Sequence, residues 1–269
     1  MSEDFYGKCI LISGAAGAVG RTLVKQMEQE CVKLILVDLP STEKSLEKMA
    51  SRSLDNECEI REENQKKLQE EIKAEIFWYT ADICIMDDIT ELITQLNKHG
   101  HDVDVLINAA GINHPVSARL INESIWDEVV DTNLKGIFFL TQEIANYSLL
   151  KNQGVVVNIA SQHGIIGNEN RAHYCASKSG VIGMTRALAC EWAKYKVRVN
   201  CVSPTFILTE RNESYLNNPY SKLEYMNKIP LGEYALPEDV ADGVIFLAGS
   251  KSRMITGHNL VIDGGYTIV

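Results

Sequence analysis

The chain has few features that would mark a membrane, secreted or zinc-binding protein. It contains no apolar run near the roughly 20 residues that a membrane-spanning helix needs. Its seven cysteines form no C-x-x-C pair, which disfavours a zinc site or a disulfide framework. The start, MSEDFYGK, lacks the basic and apolar regions of a signal peptide. We therefore expect a soluble cytoplasmic protein with reduced thiols and no membrane partner.

Basic residues are also scarce. The chain has 26 Lys and Arg against 36 Asp and Glu, for a net charge of −10. Because phosphate backbones require a basic surface, this balance argues against nucleic acid as a partner. The six histidines show no ligand spacing such as H-E-x-x-H, so no metal site is expected. With no internal repeat or linker, the 269 residues are predicted to form a single domain, 1–269.

What the sequence does contain is an alternation of short apolar runs and helical patterns. The runs predict seven strands, at 9–13, 33–38, 76–82, 103–108, 155–161, 197–203 and 259–263. Helical spacing appears between them, at about 20–30, 87–98, 124–150, 174–195 and 237–249. Strands joined by crossover helices predict an α/β fold, with a doubly wound, mainly parallel sheet and helices on both faces.

Two segments interrupt this alternation. Residues 41–74 carry many charges of both signs and little strand character, which predicts a charged helical insertion on the surface. Residues 205–230 are rich in Asn and Tyr and follow the sixth strand. Long inserts at the carboxyl ends of strands carry substrate-binding loops in α/β enzymes, so this segment is predicted to be one.

The first strand runs into the glycine-rich turn S-G-A-A-G-A-V-G, with Gly14, Gly17 and Gly20 before a helix. Amides at a helix start form an anion site when no side chain blocks the approach. The second strand ends in Asp38, where a carboxylate can accept both hydroxyls of an adenosine ribose and would repel a 2′-phosphate. NAD is therefore predicted over NADP. A methyltransferase using S-adenosylmethionine shares these features and stays open at this point.

The second half of the chain carries candidate catalytic groups. Tyr174 and Lys178 lie one helical turn apart on one face, and an ammonium lowers the pKa of a nearby phenol. Ser161 ends the fifth strand, at the edge where ligands bind, and can donate a hydrogen bond to a substrate oxygen. Asn133 interrupts an apolar helical pattern. It is predicted either to tie off a helix irregularity or to hold a water in a proton relay.

Together these motifs resemble the short-chain dehydrogenase/reductase family in its compact single-domain form, over nearly the whole chain. The resemblance implies a Rossmann fold, a nicotinamide cofactor and a homotetramer or homodimer. It implies catalytic roles for Asn133, Ser161, Tyr174 and Lys178, with Tyr174 as the general acid/base. The implied cofactor-binding residues are Gly14, Gly17, Ala18, Val19, Gly20, Asp38, Asp82, Ile83, Asn108, Ala109, Gly111, Tyr174, Lys178, Pro204, Ile207 and Thr209.

Three positions depart from the family's pattern. Ala18 stands where the family's middle glycine is expected, beside Gly17, and N-A-A-G replaces N-N-A-G. Pro204 is followed by Thr205 rather than glycine. None of these departures involves the proton-transfer residues.

The expected activity is the interconversion of a secondary alcohol and a ketone with NAD. His114 and His163 follow the fourth and fifth strands, so with Ser161 they are predicted to line the substrate pocket. These polar groups favour a sugar, polyol or sugar-acid derivative as substrate. The alternatives are a 3-oxoacyl thioester reductase and a dinucleotide-binding regulator without turnover.

Overall fold

A single sheet organises the computed structural model, which describes residues 3–28, 32–51 and 74–269. Within these residues seven strands lie in the order β3-β2-β1-β4-β5-β6-β7, and every neighbouring pair is parallel. The strands are β1 (Cys9–Ser13), β2 (Lys33–Asp38), β3 (Glu75–Thr80), β4 (Val105–Asn108), β5 (Val155–Ile159), β6 (Arg198–Pro204) and β7 (Asn259–Ile262). The predicted doubly wound α/β fold is confirmed.

Helices cover both faces of the sheet. They are α1 (Ala18–Met27), α2 (Glu43–Ser51), α3 (Met86–Lys98), α4 (Glu123–Val130), α5 (Ile137–Ile144), α6 (Leu150–Asn152), α7 (Ala172–Trp192), α8 (Glu213–Leu216), α9 (Pro219–Glu224) and α10 (Pro237–Ala248). Two π-helical stretches, Asp131–Gly136 and Ala145–Leu149, join α4, α5 and α6. The predicted helix 124–150 is therefore observed as one helical segment that contains two π-helical stretches.

The central strands are apolar on both faces because each face has its own core. Ile10 and Ile12 pack with α1 and α10 on one side, whereas Leu11 packs with α3, α5 and α7 on the other. All three side chains are fully buried. Full burial of such side chains contributes roughly 1.5–3 kcal/mol each, which explains the unbroken apolar runs.

Several boundaries differ from the sequence prediction. The third strand ends at Thr80, so Asp82 lies beyond it, where its carboxylate accepts a hydrogen bond from the Cys84 amide at 2.9 Å. Of the predicted insertion 41–74, the structure shows a short 3₁₀ turn and α2, and residues 52–73 lie outside the described residues. The segment 205–230 folds into α8 and α9 over a small cluster of Leu216, Ile229 and Tyr234.

The strand order creates one natural crevice. β1 lies between β2 and β4, so the crossovers leave β1 and β4 in opposite directions. Ligands of open parallel sheets bind at such a reversal, outside the carboxyl ends of the strands. The glycine-rich turn after β1 and the N-A-A-G loop after β4 meet at this point.

Candidate active site

The turn between β1 and α1 is built by glycines that serve different purposes. Gly14 has φ +70°, and a Cβ there would lie 2.5 Å from the Ala110 nitrogen. A Cβ on Gly20 would lie 2.5 Å from the Gly14 oxygen. These two glycines allow the turn, the helix and the N-A-A-G loop to pack closely.

Gly17 is different, because neither its backbone conformation nor close packing strictly requires a glycine there. It precedes α1 with φ −71°, and a Cβ there would meet only the Gly14 oxygen, at 3.2 Å. Within the described part of the chain, no side chain caps the first turn of α1, and Ala18 and Val19 line the cleft beside it. Bare amides at a helix start, with no side chain over them, suit an anionic group that approaches the backbone.

Asp38 fixes the far side of this turn. Its carboxylate accepts hydrogen bonds from the amides of Ala16 and Leu39, both at 2.8 Å. It lines a cavity of about 630 Å³ together with Asp82 and Ile83. This places a held carboxylate in the cavity next to the helix start, where it can accept from sugar hydroxyls.

A second cavity, of about 540 Å³, opens beside the first. It brings together the side chains of Ser161, Tyr174 and Lys178 at the carboxyl ends of β4, β5 and β6. Ser161 lies close enough to Tyr174 to influence its phenol, and the Lys178 ammonium lies 5.9 Å from the centre of the phenol ring. The three predicted groups therefore share one cleft.

The electrostatics of this cleft correct one prediction. Burial raises the pKa of Tyr174, opposed by the Ser161 hydroxyl and the Arg171 charge, so the expected lowering by Lys178 is not seen. The Lys178 amine, 4% exposed, donates to the Ile159 carbonyl at 2.8 Å. Burial lowers the pKa of Lys178 to about 8. Desolvation disfavours the charged forms of both groups and is the largest cause of each shift.

Asn133 lies in the first π-helical stretch and is fully buried. Its amide nitrogen donates to the Ile112 carbonyl at 2.9 Å, and its oxygen accepts from the Ile112 amide at 2.8 Å. This reciprocal pair fixes the loop after β4 against the helix. These contacts join the π-helical stretch to another segment and do not satisfy groups of the stretch itself, and the water-holding role stays a prediction.

Asn108 lies behind the cleft wall rather than on it. Its side chain is fully buried and donates to Thr141 and Asn158, both at 2.8 Å, while it accepts from Ser13 at 3.3 Å. Asn158 continues the network to Thr185 at 2.9 Å. The network holds the carboxyl ends of β1, β4 and β5 together, and Asn108 lines neither cavity.

The two candidate histidines have different positions. His163 is 5% exposed, lines the cleft and packs edge-on against Tyr174 with ring centres 6.2 Å apart. Burial lowers its pKa to about 4, with the Arg171 charge acting in the same direction. His114 instead pairs with Glu128 at 3.3 Å on the surface and does not line the cleft, so its predicted place in the pocket is not observed.

The two cavities form one continuous cleft that suits a dinucleotide. They share Gly17 and the loop 109–112. Apart from Asn108, which lines neither cavity, the other predicted cofactor positions line one of them: Gly14, Ala18, Val19, Gly20, Asp38, Asp82, Ile83, Tyr174, Lys178, Pro204, Ile207 and Thr209. Among the described residues no cluster of three or more His, Cys, Asp or Glu could hold a metal ion.

A family model described as enoyl-(acyl carrier protein) reductase, of the short-chain dehydrogenase type, matches residues 14–267. The chain belongs to the short-chain dehydrogenase/reductase family. It is an oxidoreductase that acts on CH–OH groups of small molecules with a nicotinamide dinucleotide. This excludes the methyltransferase alternative.

Curated relatives span the whole fold. The chain is 32% identical to the NAD-dependent glycerol dehydrogenase of Listeria innocua, covering 97% of this chain and 94% of that one. It is 33% identical to the 3-oxoacyl-[acyl-carrier-protein] reductase FabG of Thermotoga maritima, covering 97% and 98%. The crystal structure of a putative gluconate dehydrogenase from Agrobacterium tumefaciens superposes with a TM-score of 0.85 at 25% identity, covering 99% and 98%.

The fold of the present chain also brings into the cleft residues that were not predicted from its sequence. Arg171 lines the cleft from the start of α7, and Phe206 and Tyr215 cover it from the segment 205–230. Arg171 is three residues before Tyr174, so the sequence indicates that it lies near the catalytic group. The sequence does not indicate that its side chain points into the cleft.

Across the described residues, no helix is both long and apolar enough to cross a membrane.

Proposed function

We propose that this short-chain dehydrogenase interconverts a secondary alcohol and a ketone in a sugar, polyol or sugar-acid derivative, with NAD as the preferred cofactor. The observation that carries the proposal is the single cleft that joins Asp38 and the start of α1 to Ser161, Tyr174 and Lys178. The bound nicotinamide supplies or accepts the hydride. The protein supplies the proton and orients the oxygen.

In the reducing direction, Tyr174 gives its hydroxyl proton to the substrate oxygen. Because burial raises its pKa, the phenol is protonated at neutral pH and is ready to donate. Ser161 donates a second hydrogen bond to the same oxygen. Lys178, one helical turn from Tyr174, carries a positive charge below its pKa of about 8 and stabilises the phenolate that forms. In the oxidising direction the proton moves back to Tyr174.

The preference for NAD follows from the charges around the adenosine side of the cleft. Four carboxylates line that cavity: Asp38, Asp82, Glu128 and Asp131. Arg211 is the single basic residue among its described lining residues. A 2′-phosphate next to Asp38 would meet a held carboxylate, whereas a free ribose hydroxyl can donate to it. The NAD-dependent glycerol dehydrogenase among the relatives agrees with this choice.

The substrate class is inferred from the polar lining of the cleft. Gln162 and His163 add hydrogen-bonding groups beside the catalytic set, as hydroxylated substrates require. The glycerol and gluconate dehydrogenases among the similar proteins support this class. The second candidate is a 3-oxoacyl thioester reductase, which the 33% identity to the Thermotoga maritima enzyme favours.

Three further expectations belong to the same proposal. The chain forms one domain over 1–269, with 205–230 as the substrate-binding loop. It assembles as a homotetramer or homodimer, and it works in the cytoplasm. Size-exclusion chromatography with light scattering tests the assembly, because a monomer at working concentration would contradict it.

A turnover panel distinguishes the candidate functions. The purified protein is assayed with NAD and NADP against polyols, sugar acids and simple secondary alcohols, and with NADH and NADPH against ketoses and an acetoacetyl thioester. We expect turnover of hydroxylated substrates with NAD. Faster reduction of the thioester than of any ketose would favour the second candidate. NADH binding without turnover of any substrate would favour the regulator.

A further inference from the structure

A second cation, Arg171, lies in the catalytic cleft beside Lys178. Arg171 is only 6% exposed, yet its side chain lines the cleft. Its Nη1 donates to the Asn113 side-chain oxygen at 2.9 Å, the single hydrogen bond that its guanidinium makes within the described residues. Buried arginines are normally paired with an acid, because burying an unpaired charge is costly.

Among the residues that the structure describes, no acid forms an ion pair with Arg171. The ion pairs seen among the described residues involve Lys8, His114, Lys135 and Lys228, and not Arg171. The described lining of the catalytic cavity, the one of about 540 Å³, includes Arg171 and Lys178 but neither Asp nor Glu. Although the protein has a net charge of −10, the catalytic cavity therefore has a positive lining. Such a cleft attracts anions.

The two cations have separate tasks. The Lys178 ammonium donates to the Ile159 carbonyl and lies against the Tyr174 ring, at the reacting end. Arg171 directly precedes α7, three residues before Tyr174, and its charge acts on the Tyr174 phenol. Asn170, with φ +58°, makes the left-handed turn just before Arg171. His163 stays neutral at physiological pH, because its pKa is lowered to about 4.

A buried acceptor without a partner lies in the same cleft. The Gln162 side chain is 1% exposed, and its Oε1 has no hydrogen-bond partner among the described residues. Leaving such an atom unpaired costs about 1–3 kcal/mol. A donor from a bound molecule would satisfy it. The cleft therefore offers a guanidinium for an anion and an amide oxygen for a hydroxyl.

We propose that Arg171 binds the carboxylate of a hydroxy-carboxylate substrate, that Gln162 accepts a hydrogen bond from one of its hydroxyls, and that the enzyme therefore selects sugar acids over neutral polyols. This inference rests on the proposed function and narrows its substrate class. A planar guanidinium matches the two oxygens of a carboxylate. One free cation balances one negative charge, which favours a carboxylate over a phosphate that approaches two.

Matched substrate pairs test this selection directly. Gluconate and glucitol, threonate and threitol, and glycerate and glycerol are titrated into the enzyme–NADH complex by NADH fluorescence, and turnover of each is measured with NAD. The variants are Arg171→Gln, Arg171→Lys and the control Arg253→Gln. Arg253 is exposed and lies outside the described lining of both cavities.

We expect the wild-type enzyme to prefer the acid in at least one pair. Arg171→Gln should lower kcat/KM and affinity for the acid about 10- to 100-fold, as for loss of a charge-assisted hydrogen bond, and change those for the polyol less than about threefold. Arg171→Lys should recover part of the loss, and Arg253→Gln should change nothing. Unchanged NADH affinity and melting temperature establish that each variant is folded.

Three results would overturn the inference: no acid preference in any wild-type pair, a preference that survives in Arg171→Gln, or tighter binding of glycerol 3-phosphate than of glycerate. The Tyr174→Phe variant separates this failure from failure of the proposed function. Full turnover in that variant would remove the proposed chemistry, while Arg171-dependent binding of the acid would still be measurable. If Tyr174→Phe loses turnover but the acid binds equally well with and without Arg171, only the proposed anion site is wrong.

Discussion

Replacing Lys178 by Met should stabilise the folded protein while it removes activity. The amine is 4% exposed, and burial lowers its pKa from the ordinary 10.5 to about 8. This difference corresponds to about 3 kcal/mol of unfavourable free energy for the charged form in the folded state. Met has a similar length and needs no hydration, so the variant escapes this cost.

The gain is offset in part by a lost hydrogen bond. Without Lys178 the Ile159 carbonyl loses the donor that lies 2.8 Å away, at a cost of about 1–2 kcal/mol. The net expectation is therefore an increase of about 1–2 kcal/mol in the free energy of unfolding at pH 7. For a protein of this size, that raises the melting temperature by a few degrees.

The pH dependence of the effect identifies its cause. The folded-state pKa of Lys178 is below its unfolded value, so between about 8 and 10.5 the unfolded chain holds the proton and the folded chain does not. Above pH 8 the free energy of unfolding of the wild-type protein should therefore rise, relative to that of the variant, by about 1.4 kcal/mol per pH unit.

Urea unfolding of the two proteins at pH 7, 8 and 9.5 measures this convergence. Lys251→Met, at an exposed site, is the control and should show no such pH dependence. A Lys178→Met variant that is less stable than wild type at pH 7, or a stability difference that ignores pH, would refute the reasoning.

Three further predictions concern the cofactor loop and the cleft. Asp38→Ala should weaken NADH binding about tenfold and narrow the discrimination against NADPH, both measured by fluorescence; a wild-type preference for NADPH would contradict the cofactor proposal. Gly14→Ala should lower the free energy of unfolding by at least about 2 kcal/mol, because the new Cβ meets the Ala110 backbone at 2.5 Å in a left-handed conformation. The control Gly7→Ala, at φ +69° with open space around the Cβ, should lower it by about 1 kcal/mol. His163→Gln should reduce the loss of stability between pH 6.5 and 4, since the unfolded chain binds the His163 proton in that range and the folded chain does not; equal acid sensitivity of both proteins would exclude this origin.

Much of the fold is predictable because burial on both faces leaves a simple pattern. The runs at 9–13 and 33–38 coincide with β1 and β2, whose interior side chains are fully enclosed. The widened turns inside 124–150 are less visible, since a π-helical stretch keeps the apolar pattern of a helix. Asn133, a polar residue in that pattern, is the one sequence signal of the first stretch.

The site residues whose positions depend on local spacing could be predicted from the sequence. Those whose directions depend on tertiary packing could not. Tyr174 and Lys178 share a helix face by spacing alone. Ser161 was predicted to end the fifth strand; it lies two residues after the end of β5 and still lines the cleft. The directions of Arg171 and His114 depend on loop geometry. Asn170 makes a left-handed turn before Arg171, whereas His114 lies on the surface beside Glu128. The raised pKa of Tyr174 likewise depends on a degree of burial that spacing does not reveal.

The central claim is that Tyr174 carries the substrate proton in a nicotinamide site, and Tyr174→Phe tests it most directly. Turnover is compared in wild type, Tyr174→Phe and the control Tyr195→Phe, an exposed tyrosine, together with NADH affinity by fluorescence. We predict that Tyr174→Phe lowers kcat at least about 100-fold while NADH affinity stays within about threefold, as for loss of a general acid/base. Wild-type kcat in Tyr174→Phe would contradict the account.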